Sequence, residues 1–254
     1  MKFGVCGDPG IARFAAAAGF DYFEWSVASA LKPLDNEEAF LESLEQIQHA
    51  ALPCRALNVF IPAQLKITGP LANLEELKTF VSTACHRAKL AGVQTIVFGS
   101  GGARQVPEGF SKQTAWQQLA DFCSMLGPIA AQFGIIVTIE PLNRNECNII
   151  NSVAEGAALT RQVNHPAIRL LIDAYHWAKE QETVEEIISA SNLISHVHIA
   201  TIANRRTPGA EPGDFSSFFQ ALHAGGYEGS ISIEGRIDDP LIELPNALQL
   251  MKSF

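Results

Sequence analysis

Glu24, Glu140, Asp173, His198 and Glu234 each stand at or near the C-terminal end of a short apolar run. A lone carboxylate in such a place is more often a helix cap or an ion-pair partner for the next helix. For Glu24 that reading suffices. Glu140, Asp173, His198 and Glu234 differ as a set, because neighbouring runs would bring three carboxylates and an imidazole together. Carboxylates crowded out of water repel one another, and each pKa climbs unless a cation lies between them. One divalent ion resolves the conflict with three oxygen donors and one nitrogen. Carboxylates suit Mn2+ or Mg2+, while an imidazole favours a first-row transition ion. Mn2+ therefore ranks first, ahead of Mg2+ and Co2+, with Zn2+ compatible.

Such convergence needs particular elements to support it. The apolar runs are Phe3–Cys6, Tyr22–Trp25, Cys54–Phe60, Thr95–Phe98, Ile135–Glu140, Ile168–Asp173, Ile194–Ala200 and Gly229–Glu234. They are rich in Val, Ile and Phe and apolar on both parities, as strands of a parallel sheet covered on both faces read. The segments between them have helical spacing. Asp35 before Glu38, Asn73 before Glu76 and Ser152 before Glu155 resemble capping boxes. Glycines such as Gly19, Gly92 and Gly134 stand where those helices should stop. Eight strand–helix units predict an α/β fold, a single (β/α)8 TIM barrel over residues 1–254. A doubly wound open sheet would have fewer strands at this length, and no Gly-x-Gly-x-x-Gly or Walker loop follows the first run. In the barrel, functional groups gather at the C-terminal ends of the strands.

Three loops at those ends carry further polar groups. Glu140-Pro141-Leu142-Asn143-Arg144-Asn145-Glu146-Cys147-Asn148 is unusually polar, though a surface loop reads similarly. In Asn204-Arg205-Arg206-Thr207-Pro208-Gly209, either arginine could hold a substrate oxygen or pair with a rim carboxylate. Gly99-Ser100-Gly101-Gly102-Ala103-Arg104 reads as a mobile turn, or as a place where a substrate or phosphate approaches the backbone. His196 and His198 share a strand face. His198, nearer the strand end, is the ligand candidate, and His196 a deeper, hydrogen-bonded residue.

The chain has 254 residues, 47% of them hydrophobic, which is enough for a large core. Its 27 acidic and 18 basic residues give a net charge of −9, which argues against nucleic acid and anionic membrane surfaces as partners. The five cysteines, Cys6, Cys54, Cys85, Cys123 and Cys147, are scattered and odd in number. They read as small core residues of a reduced compartment rather than a disulfide framework. The N-terminal residues lack the apolar run of a signal peptide, and the most apolar stretch, Leu126–Leu142, is too interrupted to span a bilayer. A cytoplasmic protein is expected.

The chain resembles the sugar isomerases and epimerases of the xylose-isomerase-like barrels, and within them the ketose 3-epimerases acting on D-tagatose and D-psicose. Four stretches carry the resemblance: Glu140 through Glu146, His165-Pro166 through Asp173-Ala174-Tyr175-His176, His196-Val197-His198 through Asn204-Arg205, and Gly226-Tyr227-Glu228-Gly229 through Glu234. They span the second half of the chain, and the first half matches in strand rhythm and in Glu24. The resemblance implies that Glu140, Asp173, His198 and Glu234 bind the metal. It also implies that Glu140 and Glu234 are the acid/base pair, and that Glu146, His176 and Arg205 touch the substrate near its carbonyl. It implies a sugar substrate and a homodimer or homotetramer. Between His198 and Arg205 the chain is one residue longer than the family pattern.

The residues themselves suggest the chemistry. Removing a proton beside a carbonyl leaves an enediolate, whose charge a divalent cation offsets. One carboxylate takes the proton and another returns it on the opposite face, inverting the carbon. The expected activity is metal-dependent C3 epimerisation of a ketose or related keto-sugar. The same site would also suit an aldose–ketose or hydroxypyruvate-type isomerase, and a sugar-binding barrel without turnover is the non-catalytic alternative. An endonuclease of the same superfamily would need a multinuclear zinc cluster with more strand-end histidines and usually a basic groove.

Overall fold

A computed structural model describes residues 1–254. Eight strands, β1 (Lys2–Cys6), β2 (Tyr22–Ser26), β3 (Cys54–Asn58), β4 (Thr95–Phe98), β5 (Ile136–Ile139), β6 (Ile168–Asp173), β7 (Ile194–Ile199) and β8 (Ser230–Ile233), form one closed barrel in sequence order. All pairings are parallel, and β8 closes the ring on β1 with Lys2 opposite Ser230 and Val5 opposite Ile233. The chain thus adopts the (β/α)8 fold expected from its strand rhythm. No helix is long and apolar enough to cross a membrane.

Strand parity sorts the side chains. Phe23, Leu57, Ile96, Phe98, Val137 and Ile139 point outward into one apolar layer under the helices, and Val5, Val197, Ile199, Ile231 and Ile233 into another. The opposite parity fills the barrel. Gly4 must lack a side chain because a Cβ there would lie 2.2 Å from the Tyr22 ring. Tyr22, Thr138, His196 and Ser232 are all buried and close the interior below the site.

The helices begin largely where their capping residues stand. Asn73 accepts from the Glu76 N–H and Ser152 from the Glu155 N–H. The first expected cap is displaced by one residue: Asn36, rather than Asp35, accepts from the Ala39 N–H and starts the helix Glu37–Gln48. Asparagine and aspartate cap equally well, so composition does not choose between adjacent positions. The segment after β4 contains a single helical turn, Gly101–Arg104. Its Ser100 hydroxyl accepts from the Ile61 N–H. All five cysteines are free.

Candidate active site

Glu140 follows β5 directly, Asp173 ends β6, His198 is the penultimate residue of β7, and Glu234 follows β8. Four strands adjacent round the barrel therefore deliver four donors to one point, with ligand atoms all within 4.8 Å of one another. His198 Nδ1 is 3.5 Å from Glu140 Oε1 and 3.5 Å from Glu234 Oε2. Asp173, Glu140 and His198 are buried, while the Glu234 side chain is 22% exposed and faces the opening. Burial pushes the Asp173 carboxyl up to about 6, with Glu234 and Glu140 adding to the effect. For Glu234 burial acts in the same sense, but His198 and Arg205 outweigh it and hold the carboxylate below its ordinary range.

Two of these buried atoms, Glu140 Oε1 and His198 Nδ1, have no hydrogen-bond partner. Buried polar atoms are nearly always paired, so two orphans facing each other across a carboxylate cluster need an explanation. A divalent cation fits: it would take one lone pair from each orphan and remove the repulsion among three acids.

The surroundings of Glu140 show how the fold makes room for it. A Cβ at Gly99 would lie 2.3 Å from Glu140 Oε2, so the glycine in the loop after β4 gives space to a carboxylate. Arg104, fully buried, donates to the Phe98 carbonyl at 3.1 Å and to the Glu140 carbonyl at 2.7 Å. It ties the end of β5 to the end of β4.

The two adjacent arginines part company. Arg206 turns outward to Glu243 at 2.6 Å and Asp238 at 2.9 Å. Arg205 turns inward, pairing with Glu234, with Asp173 at 3.4 Å and with Glu146 at 3.4 Å, and its guanidinium lies 4.7 Å from the Tyr175 ring centre. The backbone sets this direction. Arg205 has φ 51°, and its carbonyl accepts from the Arg236 N–H at 2.7 Å. Gly235 makes the contact possible, because a Cβ there would lie 2.8 Å from the Arg206 carbonyl carbon. Val59 (φ 50°) and Ser100 (φ 44°) also line the cleft in left-handed conformations that a non-glycine residue adopts at a cost of about 1–3 kcal/mol.

Glu146 and His176 complete the outer part. His176 Nδ1 accepts from the Asn143 N–H at 3.2 Å, which places its proton on Nε2. Nε2 is buried, unpartnered, and 3.5 Å from Asp173 Oδ2. Glu146 accepts from the Asn143 amide at 2.9 Å. The cleft above has a volume of about 310 Å³. A larger one, about 390 Å³, opens at the other end of the barrel near Phe3 and Phe254, and no convergent metal-ligand set lies there.

Three residues escape a reading of the sequence. Glu24 is no cap: it points into the barrel and accepts from His196 Nε2 at 2.9 Å, His198 Nε2 at 2.9 Å and Ser232 Oγ at 2.7 Å. Burial works against its charge, yet His198 and His196 hold the Glu24 carboxylate far below the ordinary range. Asn58, at the end of β3, donates to Glu234 Oε1 at 3.5 Å. Cys6 is not in apolar surroundings, since its thiol shares a 4.8 Å neighbourhood with ligand atoms of His198 and Glu234. The alternation Tyr22, Glu24, Ser26 on one parity of β2 was the available signal for an inward polar seam. His196 lies where its parity and depth place it, buried and bonded to Glu24.

Residues 12–254 match the family of xylose isomerase-like TIM barrels. The L-ribulose 3-epimerase of Methylomonas sp. (strain DH-1) is 31% identical over 251 residues, covering 94% of this chain and 82% of that enzyme. The 3-dehydro-D-guloside 4-epimerase of Escherichia coli (strain K12) is 32% identical over 127 residues, 49% of this chain and 48% of that enzyme. Among solved structures, the D-allulose 3-epimerase from Methylomonas sp. in complex with D-allulose superposes with a TM-score of 0.83 at 24% identity, over 100% of this chain and 96% of that one. The chain belongs to the xylose isomerase-like TIM barrel family.

Proposed function

We propose that this family member is a divalent-metal-dependent epimerase that inverts C3 of a ketose by proton exchange between two carboxylates. The observation that carries the reading is the placement of Glu140 and Glu234 directly after β5 and β8, each 3.5 Å from the same His198 nitrogen. Relatives named as ketose epimerases supply the substrate class. Glu140, Asp173, His198 and Glu234 would hold the ion, with Mn2+ first by donor chemistry. When bound, the ion supplies positive charge to oxygens next to the reacting carbon and so lowers the cost of the developing enediolate charge.

The protein's own groups do the rest. Glu234, paired with the Arg205 guanidinium, is the base placed to accept the C3 proton. Glu140, at the end of β5 on the other flank of the four strands, would start the cycle in its acid form and give its proton to the opposite face, so that each turnover leaves one carboxyl protonated and the other ionised. Reversal of the two roles runs the reaction backward, as an epimerisation near equilibrium requires. Arg205, bridging Glu234 and Glu146, and His176, with its unpartnered Nε2–H, face the cleft as donors for substrate oxygens. Their positions fix the sugar relative to the two carboxylates, which accelerates proton transfer by removing orientational freedom.

Incubation of the metal-loaded protein with a panel of ketoses, aldoses and keto-acids in deuterated water, followed by NMR of the products, tests this. Deuterium at C3 together with the C3 epimer is expected. An aldose–ketose pair would move the assignment to an isomerase, and the absence of exchange into every compound would overturn it.

A further inference from the structure

Glu24 lies directly beneath the proposed ion site, does not line the cleft, and accepts three hydrogen bonds with both of its oxygens engaged. Its Oε1 meets His198 Nε2 and its Oε2 meets both His196 Nε2 and Ser232 Oγ. The Tyr22 hydroxyl stands 2.8 Å from Ser232 Oγ. Since Ser232 gives its own proton to Glu24, Tyr22 donates to Ser232, and the chain of donors runs one way towards the carboxylate. Glu24, His198 and Ser232 are fully buried and His196 is 1% exposed, so no water competes.

An ionised carboxylate only accepts hydrogen bonds. Each imidazole that touches it must therefore carry a proton on Nε2. For His198 this leaves Nδ1 as the nitrogen that can give its lone pair to an ion: the atom that faces Glu140 and Glu234 and has no hydrogen-bond partner. We propose that Glu24 is a positioning residue that fixes His198 as the Nε2–H tautomer and so presents Nδ1 to the cation. The proposal rests on the metal-dependent reading above. Metal-ligating histidines commonly give their second N–H to a carboxylate or carbonyl, and loss of that partner costs about 10–100-fold in metal affinity. Here the carboxylate comes from β2, on the far side of the ring from the ligand strands, and it holds two histidines at once.

The polarity of the network makes one substitution diagnostic. In Glu24→Gln, the amide oxygen belongs at the Oε2 position, where two donors, Ser232 and His196, require an acceptor. The amide nitrogen is then left against His198 Nε2. Two donors cannot share that contact, so His198 must move its proton to Nδ1, where it blocks the ion. Ser232→Ala removes one donor to Glu24 but leaves both histidine contacts in place, and serves as the control.

The experiment uses the whole protein. Mn2+ affinity is measured by calorimetry for wild type, Glu24→Gln and Ser232→Ala, and the 15N resonances of His198 are recorded in the Zn2+-loaded, diamagnetic proteins. Expected are a proton on Nε2 and a ligated Nδ1 in wild type, a Mn2+ affinity lower by about 10–100-fold in Glu24→Gln, and a change below about threefold in Ser232→Ala. Equal losses in the two variants would show general loosening and overturn the proposal, as would unchanged affinity in Glu24→Gln. If Glu24→Gln does not fold, the wild-type spectrum decides alone: ligation through Nε2, or a proton on Nδ1, overturns it. Tight ion binding with an indifferent Glu24 refutes only the positioning role. Failure of wild type to bind any divalent ion removes both readings.

Discussion

His198 separates two groups of carboxylates that differ in everything except their chemistry. Below the ring, Glu24 accepts three hydrogen bonds and is held far towards the ionised form. Above it, Glu140 has a buried oxygen without a partner, and Asp173 is pushed by burial up to about 6. Both oxygens of the lower acid have partners. Among the upper acids Glu140 has an oxygen without one, and a cation is the partner proposed for it. Burial alone therefore does not mark a working carboxylate, since Glu24 is as buried as any. An acceptor oxygen left without a partner does.

That contrast can be broken at several points. The largest effect is expected at the proposed acid/base pair: Glu140→Gln or Glu234→Gln should lower kcat by about 10²–10⁴-fold. Circular dichroism should show an intact fold, and wild-type turnover in both variants would remove the distinction between upper and lower acids. Next comes the ion itself. Mn2+ at about 100 times its Kd should stabilise the protein by about 2.7 kcal/mol in thermal melts. Asp173→Asn should forfeit most of that increment.

Arg205→Ala should follow, with kcat/KM reduced by about 10–100-fold, the scale of a lost charged hydrogen bond. The effect should fall mainly on KM if Arg205 holds substrate in its ground state, and on kcat if it acts only in the transition state. The smallest effect concerns Glu182, a half-buried acid with one donor, the Val153 N–H at 2.7 Å. Burial raises it from 4.5 to about 7, so the folded state binds a proton that the unfolded state releases. Its contribution to stability is full below about 4.5 and is lost as pH rises through about 7. Glu182→Gln should flatten that slope in denaturant titrations at pH 4–8, and an unchanged slope would assign the pH dependence to other groups.

Much of this is legible in the chain because the barrel repeats a simple rule. Strands covered on both faces read as unbroken apolar runs, which is why Thr95–Phe98 and Ile168–Asp173 have the same bounds in sequence and structure. The ends of β5 to β8 were legible for a related reason, since a charged residue closing such a run has only the barrel mouth to face. Glu24 was not, because its partners lie 172 and 174 residues away and a local reading sees only a strand followed by a helix. The split between Arg205 and Arg206 was equally hidden. It depends on a left-handed residue and on a glycine in the next loop, neither of which adjacent arginines reveal. Gly99 looked like backbone freedom and turned out to be a vacancy cut to the size of a carboxylate.

The Tyr22 ring, packed where Gly4 has no side chain, has a consequence for traffic. With that ring, Ser232 and His196 filling the bore, the barrel is a blind alley with a single doorway. A product of the proposed reaction would back out the way its precursor came, through the cleft lined by Arg205 and Val59, before a fresh molecule could enter. Product and starting compound would then queue for the same threshold, and each should act as a competitive inhibitor of the other's reaction.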